Sequence, residues 1–143
     1  MRIISARVSV IVHATEDSEK VIRALNQICG LELSRSMIEQ RTVKGHFGNP
    51  IKPLALHLRY AQAEEVLVNL WRKLSVQERD VLVEALKDRL DDEGKLHLRL
   101  DKQESFRGKV RLNERDPIKA QFSFQSGSSY TEVRKLLESL QCN

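Results

Sequence analysis

Aromatic residues are scarce: one Trp, two Tyr and four Phe make up 5% of the 143 residues. A sheet that reads RNA by stacking bases on exposed aromatic rings has little to work with here. Cysteine is limited to Cys29 and Cys142. Nothing in their surroundings favours pairing and their spacing fits no zinc motif, so a reducing cytoplasm is the simple expectation. No apolar run approaches the roughly 18 residues that a membrane span needs. The start, Arg2-Ile3-Ile4-Ser5-Ala6-Arg7, alternates and carries charge, unlike a signal peptide. No acid pair, HExxH, phosphate loop or nucleophile elbow appears, so no common catalytic motif points to an enzyme. No cofactor is implied.

What is abundant is charge. Lys and Arg total 24 against 20 Asp and Glu, giving a net charge of +4 and a pI near 9.2. So mild an excess favours a polyanionic partner only weakly, and the placement of the cations matters more than their number. The length suits a single domain with a real core.

Residues 2–14 alternate as a strand, with Ile4, Ala6, Val8, Val10 and Val12 on one face. Ile3, Ser5, Arg7, Ser9, Ile11 and His13 fall on the other. Thr15 is the expected N-cap of a helix whose stripe is Val21, Ile22, Leu25, Ile28 and Cys29, ended by Gly30. Residues 35–44 form a weak edge strand. Gly45 to Pro50 is a turn: Gly48-Asn49 suits positive φ, and Pro50 fixes an extended exit. His46 and Phe47 stand at its tip.

Residues 54–60 form a clear strand with Leu54, Leu56, Leu58 and Tyr60 inward. Two helices follow, the second opened by the capping box Ser75-Val76-Gln77-Glu78. Its expected stripe is Val81, Leu82, Ala85, Leu86 and Leu90. Residues 95–101 alternate again, and residues 102–108 suit a short helical turn ending at Gly108. Val110 to Leu112 suits a short strand. Ile118, Ala120, Phe122 and Phe124 mark the last strand, and Ser129 to Glu132 is a second capping box before a final helix. Strands apolar on one face only imply an α+β fold: a mixed, mainly antiparallel sheet with helices packed on one side.

The outward positions of four strands are then Arg7, Ser9 and His13; His57 and Arg59; Lys95, His97 and Arg99; and Lys119, Gln121 and Ser123. Such a run of cations suits a phosphate backbone, although every strand must put something polar outward. With so few aromatics, recognition of backbone and shape is expected rather than a base-stacking code. His13, His57 and His97 could instead converge as acid and base on RNA. A metal site is not expected, because no close i, i+4 histidine pair exists.

Three segments carry a resemblance: His13-Ala14-Thr15-Glu16-Asp17 with Lys20-Val21, then Gly45-His46-Phe47-Gly48-Asn49-Pro50-Ile51, then Arg99-Leu100-Asp101-Lys102-Gln103. In this order and spacing the chain resembles the archaeal family of predicted exosome-associated RNA-binding proteins, from about residue 3 to residue 140. The resemblance implies a fold like that of large-subunit ribosomal protein number five and non-catalytic RNA binding in an archaeal cytoplasm. It also implies a link to the exosome or to ribosomal RNA processing. The three segments are expected at one end of the sheet, as a phosphate site or as a turn tied by Asp101 and Gln103. Asp101, Gln103 and Asn49 lean to structure, and Lys102, His46, Arg99 and Arg59 to contact. The RNA-contacting set is therefore Arg7, His13, His46, Phe47, His57, Arg59, Lys95, His97, Arg99, Lys102 and Lys119. The expected partners are RNA and exosome- or ribosome-related proteins, without a membrane, for a monomer or homodimer. An adaptor docking through its edge strand and a histidine-dependent ribonuclease are the other two classes.

Overall fold

The computed structural model describes residues 3–32, 37–45 and 48–141. In chain order its elements are β1 (Ile3–Val12), α1 (Ser18–Cys29), β2 (Ile38–Gln40), β3 (Val43–Lys44), β4 (Pro50–Arg59), α2 (Ala61–Lys73) and α3 (Val76–Glu84). Then come α4 (Leu86–Arg89), β5 (Leu96–Leu100), α5 (Lys102–Ser105), β6 (Ile118–Phe124) and α6 (Tyr130–Gln141). The strands form one sheet in the order β2-β4-β1-β6-β5, with β3 also paired to β4. Every pairing among the described residues is antiparallel, so the fold is α+β as the alternation implies.

The pleat sorts the side chains. Ala6, Val8, Val10 and Val12 of β1 are buried beside Leu54, Leu56 and Leu58 of β4, Leu96, Leu98 and Leu100 of β5, and Ala120 and Phe122 of β6. The helices cover this face, with Val21, Leu25 and Ile28 of α1 and Val66, Leu67, Leu70 and Trp71 of α2 in the same cluster. Each fully buried aliphatic side chain contributes about 2 kcal/mol through burial. The capping boxes form: the Glu78 amide donates to Ser75 Oγ at 3.1 Å and the Glu132 amide to Ser129 Oγ at 3.2 Å.

Several local expectations are corrected. Helix α1 is capped by Asp17, not Thr15; the Asp17 side chain accepts from the Glu19 amide. The chain first makes a turn in which the Glu16 amide donates to the His13 carbonyl at 2.9 Å. The register of β1 against β6 slips between Ile3 and Ser5, so Ile3 rather than Ile4 is buried on the core face. Tyr60 is 51% exposed rather than inward, because the chain turns at φ +49 there to start α2. The stripe after Ser75 breaks at Ala85 (φ −96, ψ 19); Leu82, Val83 and Leu86 are buried, and Val81 is exposed. Of the 35–44 strand, only β2 and β3 pair with β4, and residues 33–36 lie outside the described residues. Val110 is buried without a strand, and Leu112 makes only an isolated bridge to Leu100.

Gly30 ends α1 at φ +69, where a Cβ would overlap the Asn69 amide, whose Nδ2 donates to the Cys29 carbonyl at 2.8 Å. Gly94 has φ +80 with open space around it. Both Gly30→Ala and Gly94→Ala should lose about 1 kcal/mol to the left-handed backbone. Gly30→Ala should lose roughly 1–3 kcal/mol more, through the displaced hydrogen bond. Urea unfolding of both variants checks the difference; equal losses would contradict it.

Candidate functional site

Strand pairing fixes which outward side chains stand side by side. Arg7 is opposite His57 on β4 and Gln121 on β6, and Gln121 is opposite His97 on β5. One step along, Ser9 lies between Ala55 and Lys119, with Glu39 beyond Ala55 and Arg99 beyond Lys119. One step the other way, Ser5 lies between Arg59 and Ser123. Lys95 lines the same depression as Arg59 and Ser123. The expected cationic face is therefore continuous across four strands, and among the described residues the depressions on it are lined by strands and loops and by no helix.

Its charges are not equivalent. His57 faces Glu39 at 3.6 Å, His97 holds Asp91 at 2.8 Å, Lys95 meets Glu93 at 3.4 Å and Arg99 meets Glu114 at 3.2 Å. These acids stand at the rim: Glu39 on the edge strand β2, Asp91 and Glu93 in the loop before β5, and Glu114 in the loop between α5 and β6. The bond from His97, with the Lys95 amide, holds Asp91 below the usual carboxylate range. Bonds from Arg89 and then Arg99, outweighing desolvation, do the same for Glu114. Arg7, Arg59 and Lys119 are exposed and have no ion-pair partner among the described residues. They are the cations free to meet an external anion.

The three histidines do not converge. His57 and His97 stand three strands apart, about 14 Å at ordinary strand spacing, and His13 lies beyond the end of β1. Each instead has its own carboxylate. A ribonuclease built on these three lacks the common centre that paired acid–base work requires.

His13 belongs to a second cluster. Lys102, expected as a contact residue, is only 3% exposed. Its Nζ donates to the Ile11 carbonyl at 2.7 Å, to Glu16 Oε1 at 3.1 Å and to Asp116 Oδ2 at 2.9 Å. The ammonium thus spends all three donors inside the protein and has none left for a phosphate. His13 Nε2 holds the other Asp116 oxygen at 3.0 Å, and the His13 amide donates to Glu16 at 2.8 Å. His13, Glu16 and Asp116 lie close enough together to ligate a metal, but the Lys102 ammonium already occupies the position of a cation between the two carboxylates. Partial burial works to raise Asp116, yet the bonds from Lys102 and His13 overcome it and leave its carboxyl below the usual range.

The neighbouring segments serve structure. Asp101 caps α5 by accepting from the Glu104 amide at 3.0 Å and also accepts from Asn113 at 2.9 Å; these bonds hold its pKa low. Gln103 is exposed and ties nothing down with its side chain among the described residues. Asn49 acts through its backbone, its carbonyl accepting from the Gly45 amide at 2.6 Å. Val12 pairs with Lys52 and Lys44 with Pro50, so the described ends of the 45–50 segment lie at the same sheet end as His13. His46 and Phe47 themselves lie outside the described residues. Cys29 is buried, which pushes its thiol up to about 12 and leaves it unreactive.

Sequence reasoning missed Glu16 and Asp116. Both stand outside the alternating and helical apolar patterns, and no local signal shows that Lys102 joins them. Arg41 was also missed; its amide donates to the Pro53 carbonyl at 3.2 Å, which brings it to the margin of the open face.

A family model described as RNA binding matches residues 5–124. An RNA-binding protein of Pyrococcus abyssi is 32% identical over 115 residues, which is 78% of this chain and 75% of that one. A crystal structure from Archaeoglobus fulgidus superposes with TM-score 0.80 at 32% identity, covering 97% of this chain and 99% of its own. One from Sulfolobus solfataricus gives TM-score 0.75 at 27% identity, covering 94% and 98%. No helix among the described residues is long and apolar enough to cross a membrane.

Lys102→Met should cost about 3 kcal/mol, because two carboxylates lose their buried cation. The loss stays at the low end because Asp116 keeps access to water. Because the folded pKa of Asp116 is depressed, its contribution is complete above the ordinary carboxylate range and disappears as pH falls through the folded value. Denaturant unfolding from about pH 6 down to about pH 2 should therefore show a shallower acid limb in Lys102→Met than in the parent protein. Parallel limbs would contradict the assignment.

Proposed function

The chain belongs to an archaeal RNA-binding family, and from that premise we propose that it holds RNA without catalysis on the open face of its sheet. One observation carries the proposal: Arg7, Arg59 and Lys119 project from adjacent outward rows with no ion-pair partner among the described residues, while the acids stand at the rim. Arginine and lysine on a rigid sheet meet phosphates with little ordering cost, and a guanidinium adds planar, forked donors. His57, Lys95, His97 and Arg99 form a second tier, since each already has a carboxylate partner. Lys102, buried with its donors used, supports the end of the face from beneath, while His13 is exposed there and bonded to Asp116. The spread of the three histidines, each with its own acid, supports binding rather than cleavage. The resemblance extends the proposal to the exosome or ribosomal RNA processing as the setting in which that RNA is met. Recovery of proteins of either machinery with the chain from native extract checks that extension.

The double variant Arg7→Glu/Lys119→Glu should weaken RNA binding at low salt by at least about tenfold with an unchanged unfolding midpoint. Lys135→Glu, an exposed reversal on α6 in the helical layer, should change it less than about twofold. Equal effects of the two would contradict the face.

A further inference from the structure

The open face is not uniformly polar. Between β2, β4, β1 and the start of β6 lies a groove of about 640 Å³, within the range that holds a small organic group. Its floor is aliphatic: Ile11, 41% exposed at an outward position, opposite Pro53, with Ala55 one step along. Its margins carry Arg7, Lys119 and Arg41. Two carboxylates also reach it. Glu39 faces His57, and Asp116 is held by Lys102 and His13, so neither neutralises Arg7 or Lys119.

We infer that this groove takes one unpaired nucleotide of the bound RNA, with the base against Ile11, Pro53 and Ala55 and the flanking phosphates against Arg7, Lys119 and Arg41. The inference rests on the RNA reading above and goes further, because it selects the form of RNA. A duplex keeps its bases stacked inside and presents phosphates and 2′-hydroxyls, which have no use for an aliphatic floor. Only an unstacked nucleotide brings a flat apolar face and a phosphate together within such a groove. The guanidinium of Arg7, at the centre of the row, can lie flat against a base as well as meet a phosphate. The groove would thus take over part of what exposed aromatics do on other sheets, and it asks for an unpaired base without specifying which one.

The test uses the full chain, an oligouridylate, and an RNA duplex of equal length. Ser9 sits beside Ala55 in the middle of the groove, so Ser9→Ile narrows its centre without changing charge and suits a strand. Ser9→Ile should lower single-strand affinity about tenfold and leave duplex affinity within about twofold. An oligouridylate carrying 4-thiouridine should photo-crosslink to peptides containing Ile11 or Pro53. If both RNAs bind equally, Ser9→Ile is neutral and crosslinks fall elsewhere, the groove assignment is overturned while the cationic face stands. If neither RNA binds at low salt, the RNA reading fails and this inference with it. A homodimer that Ser9→Ile dissociates would give the groove to a second copy of the chain and overturn the inference as well.

Discussion

One buried ammonium ties the working end of this molecule together. Lys102 opens α5, yet its Nζ reaches the carbonyl of Ile11 at the end of β1, Glu16 before α1 and Asp116 before β6. Two of those partners come from one segment near the start of the chain and the third from a loop about a hundred residues later, and they converge on one point. A lysine buried to this degree is tolerated only when its charge is balanced and its donors are used, and here both conditions hold. The geometry therefore fixes the end of β1, the entry to β6 and the turn into α1 relative to one another. Ile11 and Asp116, which border the groove on the open face, are held from below by the same contact. The His13 and Asp101-Lys102-Gln103 segments thus meet for a structural reason.

The second constraint is the pleat. Because side chains alternate, burying Val8, Val10, Leu56, Leu98 and Phe122 under the helices forces Arg7, Ser9, His57, Arg99 and Lys119 outward. Fold and surface charge are therefore a single decision of the sequence. The selection among these cations is made by the rim. Glu39, Asp91 and Glu93 each take one cation or histidine, Glu114 takes Arg89 and Arg99, and the centre of the face is left positive. A positive centre with a paired margin concentrates attraction where the outward side chains are exposed.

The sheet was legible in the sequence because alternation is a local signal: Leu96 to Leu100 and Ile118 to Phe122 alternate without fault, and the capping boxes at Ser75 and Ser129 carry their own chemistry. Outward residues followed from the same parity, so Arg7, His57, Arg59, His97, Arg99 and Lys119 stand where alternation puts them. Parity fails where the backbone leaves regular geometry, as at the slip between Ile3 and Ser5, the left-handed turn at Tyr60 and the break at Ala85. Charge partners were not legible at all. Nothing local to Lys102 distinguishes a surface cation from a buried one, since the distinction lies in Glu16 and Asp116, 86 and 14 residues away. The groove was half visible: Ile11 stands out as an apolar residue at an outward position, but its neighbours Pro53 and Arg41 come from other strands.

The most direct test of the cationic face is the salt dependence of single-stranded RNA affinity. Each neutralised phosphate on a single strand contributes roughly 0.7 to the slope of log affinity against log salt. Three or four free cations, Arg7, Arg59 and Lys119 with Arg41 at the margin, predict a slope of about −2 to −3. A slope near zero with affinity intact, or no binding even at low salt, would contradict the account.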